Sequence, residues 1–126
     1  VDQSDGATCQ IRASGVREYE HDPAMVVNTI ESYRLDSLVD SRGAAPALLK
    51  IDVEGAEALV LEGAARLLMT ARPIVVVEIH NAGAGRACLS LFEAAQYSCE
   101  RIAANGRLVA VDGDLSYGHL VARSRG

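Results

Sequence analysis

The chain has 126 residues, of which 49% are hydrophobic and 23% charged. That is room for one domain with a packed core, and it excludes a disordered, charge-swollen segment. With 12 Lys and Arg against 17 Asp and Glu the formal charge is −5, and no basic stripe runs along the chain, so neither nucleic acid nor a membrane surface is expected as a partner. The cysteines Cys9, Cys88 and Cys99 are odd in number and lack CxxC or Cys/His metal spacing. A disulfide framework or structural zinc is therefore not expected, each thiol reads as buried filler, and a reducing cytoplasm is the expected compartment. No signal peptide is visible, and no apolar run approaches the ~20 residues of a membrane span. The sequence opens at Val1 without an initiator methionine and is read as a partial or processed chain.

In chain order, Ser4-Asp5-Gly6 predicts a turn, Thr8–Ala13 a strand, and Met25–Ile30 a second strand after Pro23. Leu35–Val39 predicts one helical turn ahead of a loop at Ser41-Arg42-Gly43. Leu48–Val53 is a short apolar run, predicted as a strand buried on both faces. Ala56, Leu59, Val60, Gly63, Ala64, Leu67 and Leu68 then trace one face of a helix, with Glu54 and Glu57 at its dipole-positive start and Pro73 beyond its end. On this face Gly63 is expected to press against the sheet. Ile74–Ile79 is a second apolar strand rich in β-branched residues. Strand, helix and strand make a βαβ unit, whose strands are parallel and joined by a right-handed crossover. Arg86–Gln96 predicts a helix, Tyr97–Ala103 a strand, Asn105-Gly106 a hairpin turn, Leu108–Val111 its partner and His119–Arg123 a last strand. The fold class is α/β, with a parallel βαβ core and an antiparallel C-terminal hairpin.

Open α/β sheets bind ligands outside the carboxyl ends of their parallel strands. Those ends carry Asp52-Val53-Glu54 and Glu78-Ile79-His80. Period-2 alternation places Lys50 with Asp52 on one face and Glu78 with His80 on one face. If the two strands are neighbours, these ionisable groups converge on one rim. A plainer reading stands beside this one: strand ends emerge into water, and Asp52 caps the helix that follows. Lys50 in a buried strand needs a counter-charge, and Asp52 is the nearest candidate. For Glu54 and Glu57 the helix dipole is explanation enough.

Gly83-Ala84-Gly85 approximates a dinucleotide fingerprint between strand and helix, but the third glycine is absent and His80-Asn81-Ala82 lengthens the turn, so a flexible loop is expected there. Asp52, Glu54, Glu57, Glu78 and His80 could serve as metal ligands, yet they show no recognisable ligand spacing. No serine sits at a strand-to-helix elbow, which removes a Ser-His-Asp triad.

The stretch Leu49-Lys50-Ile51-Asp52-Val53-Glu54-Gly55-Ala56-Glu57, then Val60-Leu61-Glu62-Gly63-Ala64, then Pro73–His80, resembles the FkbM-type S-adenosylmethionine-dependent methyltransferases. Leu35-Asp36-Ser37-Leu38 is similar to that family's short "LDxL" segment, Val1-Asp2 through Asp5-Gly6 to its turn after the third strand, and Gln96-Tyr97 to its usual "GY" with Gln in place of Gly. The resemblance implies a Rossmann-like methyltransferase sheet, of which this chain holds the second half as a single, partial domain. The family's glycine-rich loop and ribose-holding acid have no counterpart here. It also implies S-adenosylmethionine as cofactor and the hydroxyl of a small molecule or sugar as methyl acceptor. By position Asp52 and Glu54 lie beside cofactor and acceptor, His80 is the candidate base, Glu78 orients it or binds substrate, and Asp2 lies near the adenine. With the first half of the sheet missing, the Leu48–Val53 strand has a bare edge, through which self-association is expected. A non-catalytic α/β remnant or interaction module, and a metal-dependent hydrolase, are the other function classes considered.

Overall fold

The computed structural model describes residues 31–113 and 115–126. The expected strands at Thr8–Ala13 and Met25–Ile30, together with Asp2 and Cys9, lie outside the described residues. The described elements are α1 (Leu35–Arg42), β1 (Leu48–Ile51), α2 (Glu57–Glu62), α3 (Ala65–Thr70), β2 (Ile74–Ile79), α4 (Ala82–Ala94), β3 (Tyr97–Ile102), β4 (Leu108–Ala110) and β5 (Gly118–Ser124). They form a mixed α/β fold around one five-stranded open sheet of order β1-β2-β5-β3-β4. β1 and β2 are parallel, with Leu48 opposite Ile74 and Ile51 opposite Val77. The βαβ unit expected from the sequence is therefore present. The β3–β4 hairpin is antiparallel as expected, turning at Asn105-Gly106 with Gly106 at φ 77°. β5 returns from the hairpin and inserts antiparallel between β2 and β3. Nothing in the local sequence announced that insertion.

Alternation along β2 sends Val75, Val77 and Ile79 into the core, where they meet Ile51, Leu61, Leu67, Leu68, Cys88 and Phe92. Tyr97 is buried beside Phe92, ring centroids 5.7 Å apart, and its hydroxyl donates to the carbonyls of Pro73 and Leu68. The opposite face of β1 and β2 is more open. Leu48 is 58% and Ile74 42% exposed, and Lys50 is exposed. The expectation of a strand buried on both faces is thus corrected: among the described residues β1 is an edge strand with one covered face, and it stops at Ile51 because Asp52 and the turn beyond leave the ladder.

The helix expected from Ala56 to Leu68 is two helices broken at Gly63-Ala64. The break exposes backbone groups that α1 satisfies. The Asp36 amide donates to the Gly63 carbonyl at 2.9 Å. In return the Asp36 carboxylate accepts from the Arg66 and Leu67 amides at 3.1 and 2.9 Å, capping α3 from another helix. Arg34 reaches the Glu62 carbonyl at 2.8 Å. Gly63 accordingly packs near the backbone of Arg34, and not on the sheet as expected. Of the expected face, Ala56, Gly63, Ala64, Leu67 and Leu68 are buried and Val60 is half-buried; Leu59 is 48% exposed, and Glu57 and Leu61 are buried in addition, along a stripe through Glu57, Leu61, Ala64 and Leu68.

α1 extends two turns, to Arg42, and closes on Gly43 in the left-handed region. α4 begins at Ala82, four residues before the expected start, because the Asn81 side chain caps it by accepting from the Ala84 amide at 2.8 Å. Gly83-Ala84-Gly85 is therefore the first helical turn and no flexible loop. A Cβ on Gly85 would overlap the Leu115 carbonyl oxygen, so this glycine serves close packing of the 115–117 segment. Gln96 sits at φ 61°, just beyond α4, the left-handed position where glycine is the usual residue.

Candidate active site

The carboxyl ends of β1 and β2 lie side by side because the strands are parallel and in register, so the two chain segments leaving them share one rim. β1 delivers Asp52 and then a tight turn, in which Glu54 and Gly55 both adopt positive φ, 51° and 102°. Glycine holds such a conformation freely, and a glutamate does so at a cost of about 1 kcal/mol or more. β2 delivers Glu78 and, one residue past its last ladder position, His80.

His80 is the centre of the cluster. Its Nδ1 lies 2.7 Å from Glu57 Oε1, while Nε2 lies 3.5 Å from Asp52 Oδ1, 3.6 Å from Glu54 Oε2 and 4.0 Å from Glu78 Oε1. The imidazole is mostly buried, and Glu57 is fully so, at 0% exposed. A carboxylate only accepts hydrogen bonds, so in the neutral ring Nδ1 carries the proton and Nε2 presents its lone pair to the rim. Burial pulls the His80 pKa down, but the Glu57 hydrogen bond and the charges of Glu54, Glu57 and Glu78 outweigh it and raise the group above its ordinary value. Tyr117 and the His80 ring pack edge to face, centroids 6.1 Å apart at 82°.

The sequence-selected residues Asp52, Glu54, Glu78 and His80 are thus brought together, and Lys50 with them. Lys50 Nζ is 3.7 Å from Asp52 and 3.5 Å from Glu78, so the expected Lys50–Asp52 pair is present with a second partner. Asp52 does not cap α2, whose N-cap is Ala56 without a side-chain hydrogen bond. Glu78 approaches His80 Nε2 only to 4.0 Å, its oxygens lying nearer Lys50, His119 at 3.2 Å and the Tyr117 hydroxyl at 3.5 Å. The shortest contact to the ring is made by Glu57. Its signal in the sequence was its place at the head of the run Glu57-Leu61-Ala64-Leu68, spaced 4, 3 and 4 and buried throughout. A glutamate on a buried stripe needs a partner. Tyr117 and His119 carried no such signal, because only the β2–β5 pairing sets His119 opposite Glu78.

Asp52, Glu54 and His80 each bring a donor atom within 4.8 Å of the other two, close enough for one bound cation to bridge. Of the described thiols, Cys88 is buried as expected and Cys99 only half-buried; burial pushes Cys88 up to about 12 and Cys99 up to about 11, away from the nucleophilic thiolate. A cleft of about 250 Å³ lined by Met69, Arg72, Ala94, Ala95 and Gln96 lies at the opposite, amino ends of β2 and β3. Among the described residues no helix is long and apolar enough to cross a membrane.

A histidine set among carboxylates at the carboxyl ends of parallel strands is the kind of site that open α/β enzymes build. The comparison with family models specifies which: the methyltransferase FkbM domain matches residues 4–102, and the chain belongs to that family. No curated protein and no solved structure matches it.

Proposed function

We propose that the chain is part of an S-adenosylmethionine-dependent O-methyltransferase acting on the hydroxyl of a small molecule or sugar, with His80 as general base. One observation carries this reading: His80 is held at Nδ1 by a buried carboxylate and directs Nε2 to the open rim at the strand ends. The residues present fit the cationic part of the cofactor, since the Asp52 and Glu54 side chains are 49% and 44% exposed on that rim and offer anionic oxygens to a positive ligand. The cofactor supplies an electrophilic methyl group when bound. On the protein's side, the rim residues align the acceptor, and His80 Nε2 takes the hydroxyl proton as the oxygen becomes methylated. The surplus of carboxylates over cations there favours uncharged or cationic acceptors over phosphates and carboxylates.

The Rossmann-like character belongs to the same reading. The parallel β1–β2 pair, joined by a crossover through α2 and α3, suits the second half of such a sheet. In that arrangement the other half of the sheet carries most of the cofactor contacts, and the edge of β1 that no described strand pairs is where self-association would occur. The experiment is methyl transfer by the full-length protein to a panel of hydroxyl acceptors, with His80→Ala as the variant. Turnover is expected to fall roughly 10²–10⁴-fold with cofactor affinity little changed. Unimpaired turnover refutes the base assignment.

A further inference from the structure

Glu57 has features that fold stability does not explain. It is 0% exposed, and its Oε2 is buried without a hydrogen-bond partner. Leaving a buried carboxylate oxygen unsatisfied is destabilising, and an apolar residue of similar volume would serve the buried face of α2 better. Everything Glu57 does bond passes through Oε1. That one atom accepts from the Gly55 amide at 2.8 Å and meets His80 Nδ1 at 2.7 Å. It therefore ties the turn after β1 to the ring after β2. Gly55 is held where a side chain is strained, at φ 102°, so the amide reaches Oε1 through a conformation suited to glycine.

We propose that Glu57 is the positioning residue of the site, fixing the tautomer and orientation of His80 so that Nε2 faces the rim, and locking the Asp52–Gly55 turn beside it. The inference rests on the base role given to His80 above. Without an acceptor at Nδ1 the ring is free to carry its neutral-state proton on Nε2, between Asp52 Oδ1 and Glu54 Oε2, the acceptors nearest to it. In that tautomer Nε2 has no lone pair for an incoming proton, so base catalysis stops although every residue remains in place. The groups facing His80 are Asp52 and Glu54 after β1, Glu57 on α2, Glu78 on β2 and Tyr117 before β5, with Lys50 and His119 reaching Glu78 and the Cys88 thiol of α4 within the field of Glu57. Of these, only Glu57 contacts Nδ1.

The test compares Glu57→Leu with Glu57→Gln. Leucine removes the acceptor. Glutamine can keep an oxygen at the Oε1 position, for both Gly55 and His80, while removing the charge. Histidine-selective ¹⁵N labelling reads the His80 tautomer above its titration midpoint and the midpoint itself, with His80→Ala identifying the signals. In the unmodified chain neutral His80 is expected as a single species protonated at Nδ1. In Glu57→Gln that tautomer persists with a lower midpoint, and most turnover survives with its acidic limb moved to lower pH. In Glu57→Leu the Nε2-protonated form appears and turnover falls by roughly 10²-fold or more. A folded Glu57→Leu chain with the original tautomer and midpoint overturns the inference. If that variant does not fold, a Glu57→Gln chain with an unshifted midpoint overturns it. The spectroscopic arm is independent of turnover. A tautomer that follows Glu57 while His80→Ala retains activity sustains the positioning of the ring and refutes the base role alone.

Discussion

Gly85→Ala tests how the helical layer is joined to the site. In an isolated helix this change is favourable by about 1 kcal/mol, because alanine restricts the unfolded chain and glycine does not. Here the new Cβ would overlap the Leu115 carbonyl oxygen, with the Leu115 carbonyl carbon at 3.2 Å and Ile79 Cγ2 at 3.3 Å behind it. Leu115 is 7% exposed and Ile79 0%, so neither is free to swing into solvent. The obstacle is a main-chain group, which cannot change rotamer, so the cost belongs at the upper end of the overpacking range, about 3 kcal/mol. The net effect is a loss of about 2 kcal/mol, or roughly 8 °C in melting temperature for a domain of this size. Thermal unfolding followed by circular dichroism measures it. The displacement should also reach chemistry, because Leu115 leads directly to Tyr117, whose ring packs on His80; a shift in the His80 titration midpoint is the expected companion. A variant that melts at or above the parent temperature would show that the 115–117 segment does not lie against α4.

Asp36→Ala removes the carboxylate that caps α3 from α1, and about 1–2 kcal/mol of stability should go with it in chemical denaturation; no change would deny the cap. Gln96→Gly relieves a left-handed backbone at φ 61° and should raise stability by about 0.5 kcal/mol after the greater entropy of the unfolded chain is counted. Because the folded His80 pKa is raised, its contribution is fully present below the unfolded value of about 6.5 and is lost as pH rises through the folded value. The stability advantage of the parent over His80→Gln should therefore shrink as pH rises from 6 to 9, measured by urea unfolding. Turnover should move the opposite way, since a base works deprotonated.

Much of this architecture was legible because it is written in local patterns. The apolar runs at Leu48–Val53 and Ile74–Ile79, with an amphipathic stretch and Pro73 between them, define a βαβ unit by period alone, although the first strand ends at Ile51. Its carboxyl ends identify Asp52, Glu54, Glu78 and His80 before any coordinates exist. Failures arose where one residue answers to a distant one. Gly63 reads as part of a continuous helix until Asp36, far back in the chain, is seen taking the freed amides of α3. Glu57 reads as a dipole-complementing residue until His80 arrives beneath it. The strand count of the sheet was within reach, but the insertion of β5 between β2 and β3 was not, and so neither were Tyr117 and His119. Period-2 alternation also misled slightly at His80: the last ladder residue is Ile79, and beyond it the pleat no longer fixes where a side chain goes.

Among the described residues, positive φ at non-glycine positions occurs at Glu54, Arg72 and Gln96, and the contrast among them bears on where the functional site lies. Arg72 and Gln96 each follow the last turn of a helix, α3 and α4, and their amides donate back to Leu67 and Glu93. A left-handed residue there closes the helix by an ordinary capping route, and its cost is offset by the carbonyls it satisfies. Glu54 closes no helix. It lies ahead of α2, in a turn whose next residue, Gly55, bonds the buried Glu57. Within a few residues of that strained glutamate lie a half-satisfied buried carboxylate and a histidine ringed by acids. Departures from local preference that no packing need explains gather where a fold is shaped for a ligand or a reaction. Around β1 and β2 they gather on one rim, and that is the physical reason to look for the chemistry at His80 and not at the cleft beside Arg72 and Gln96.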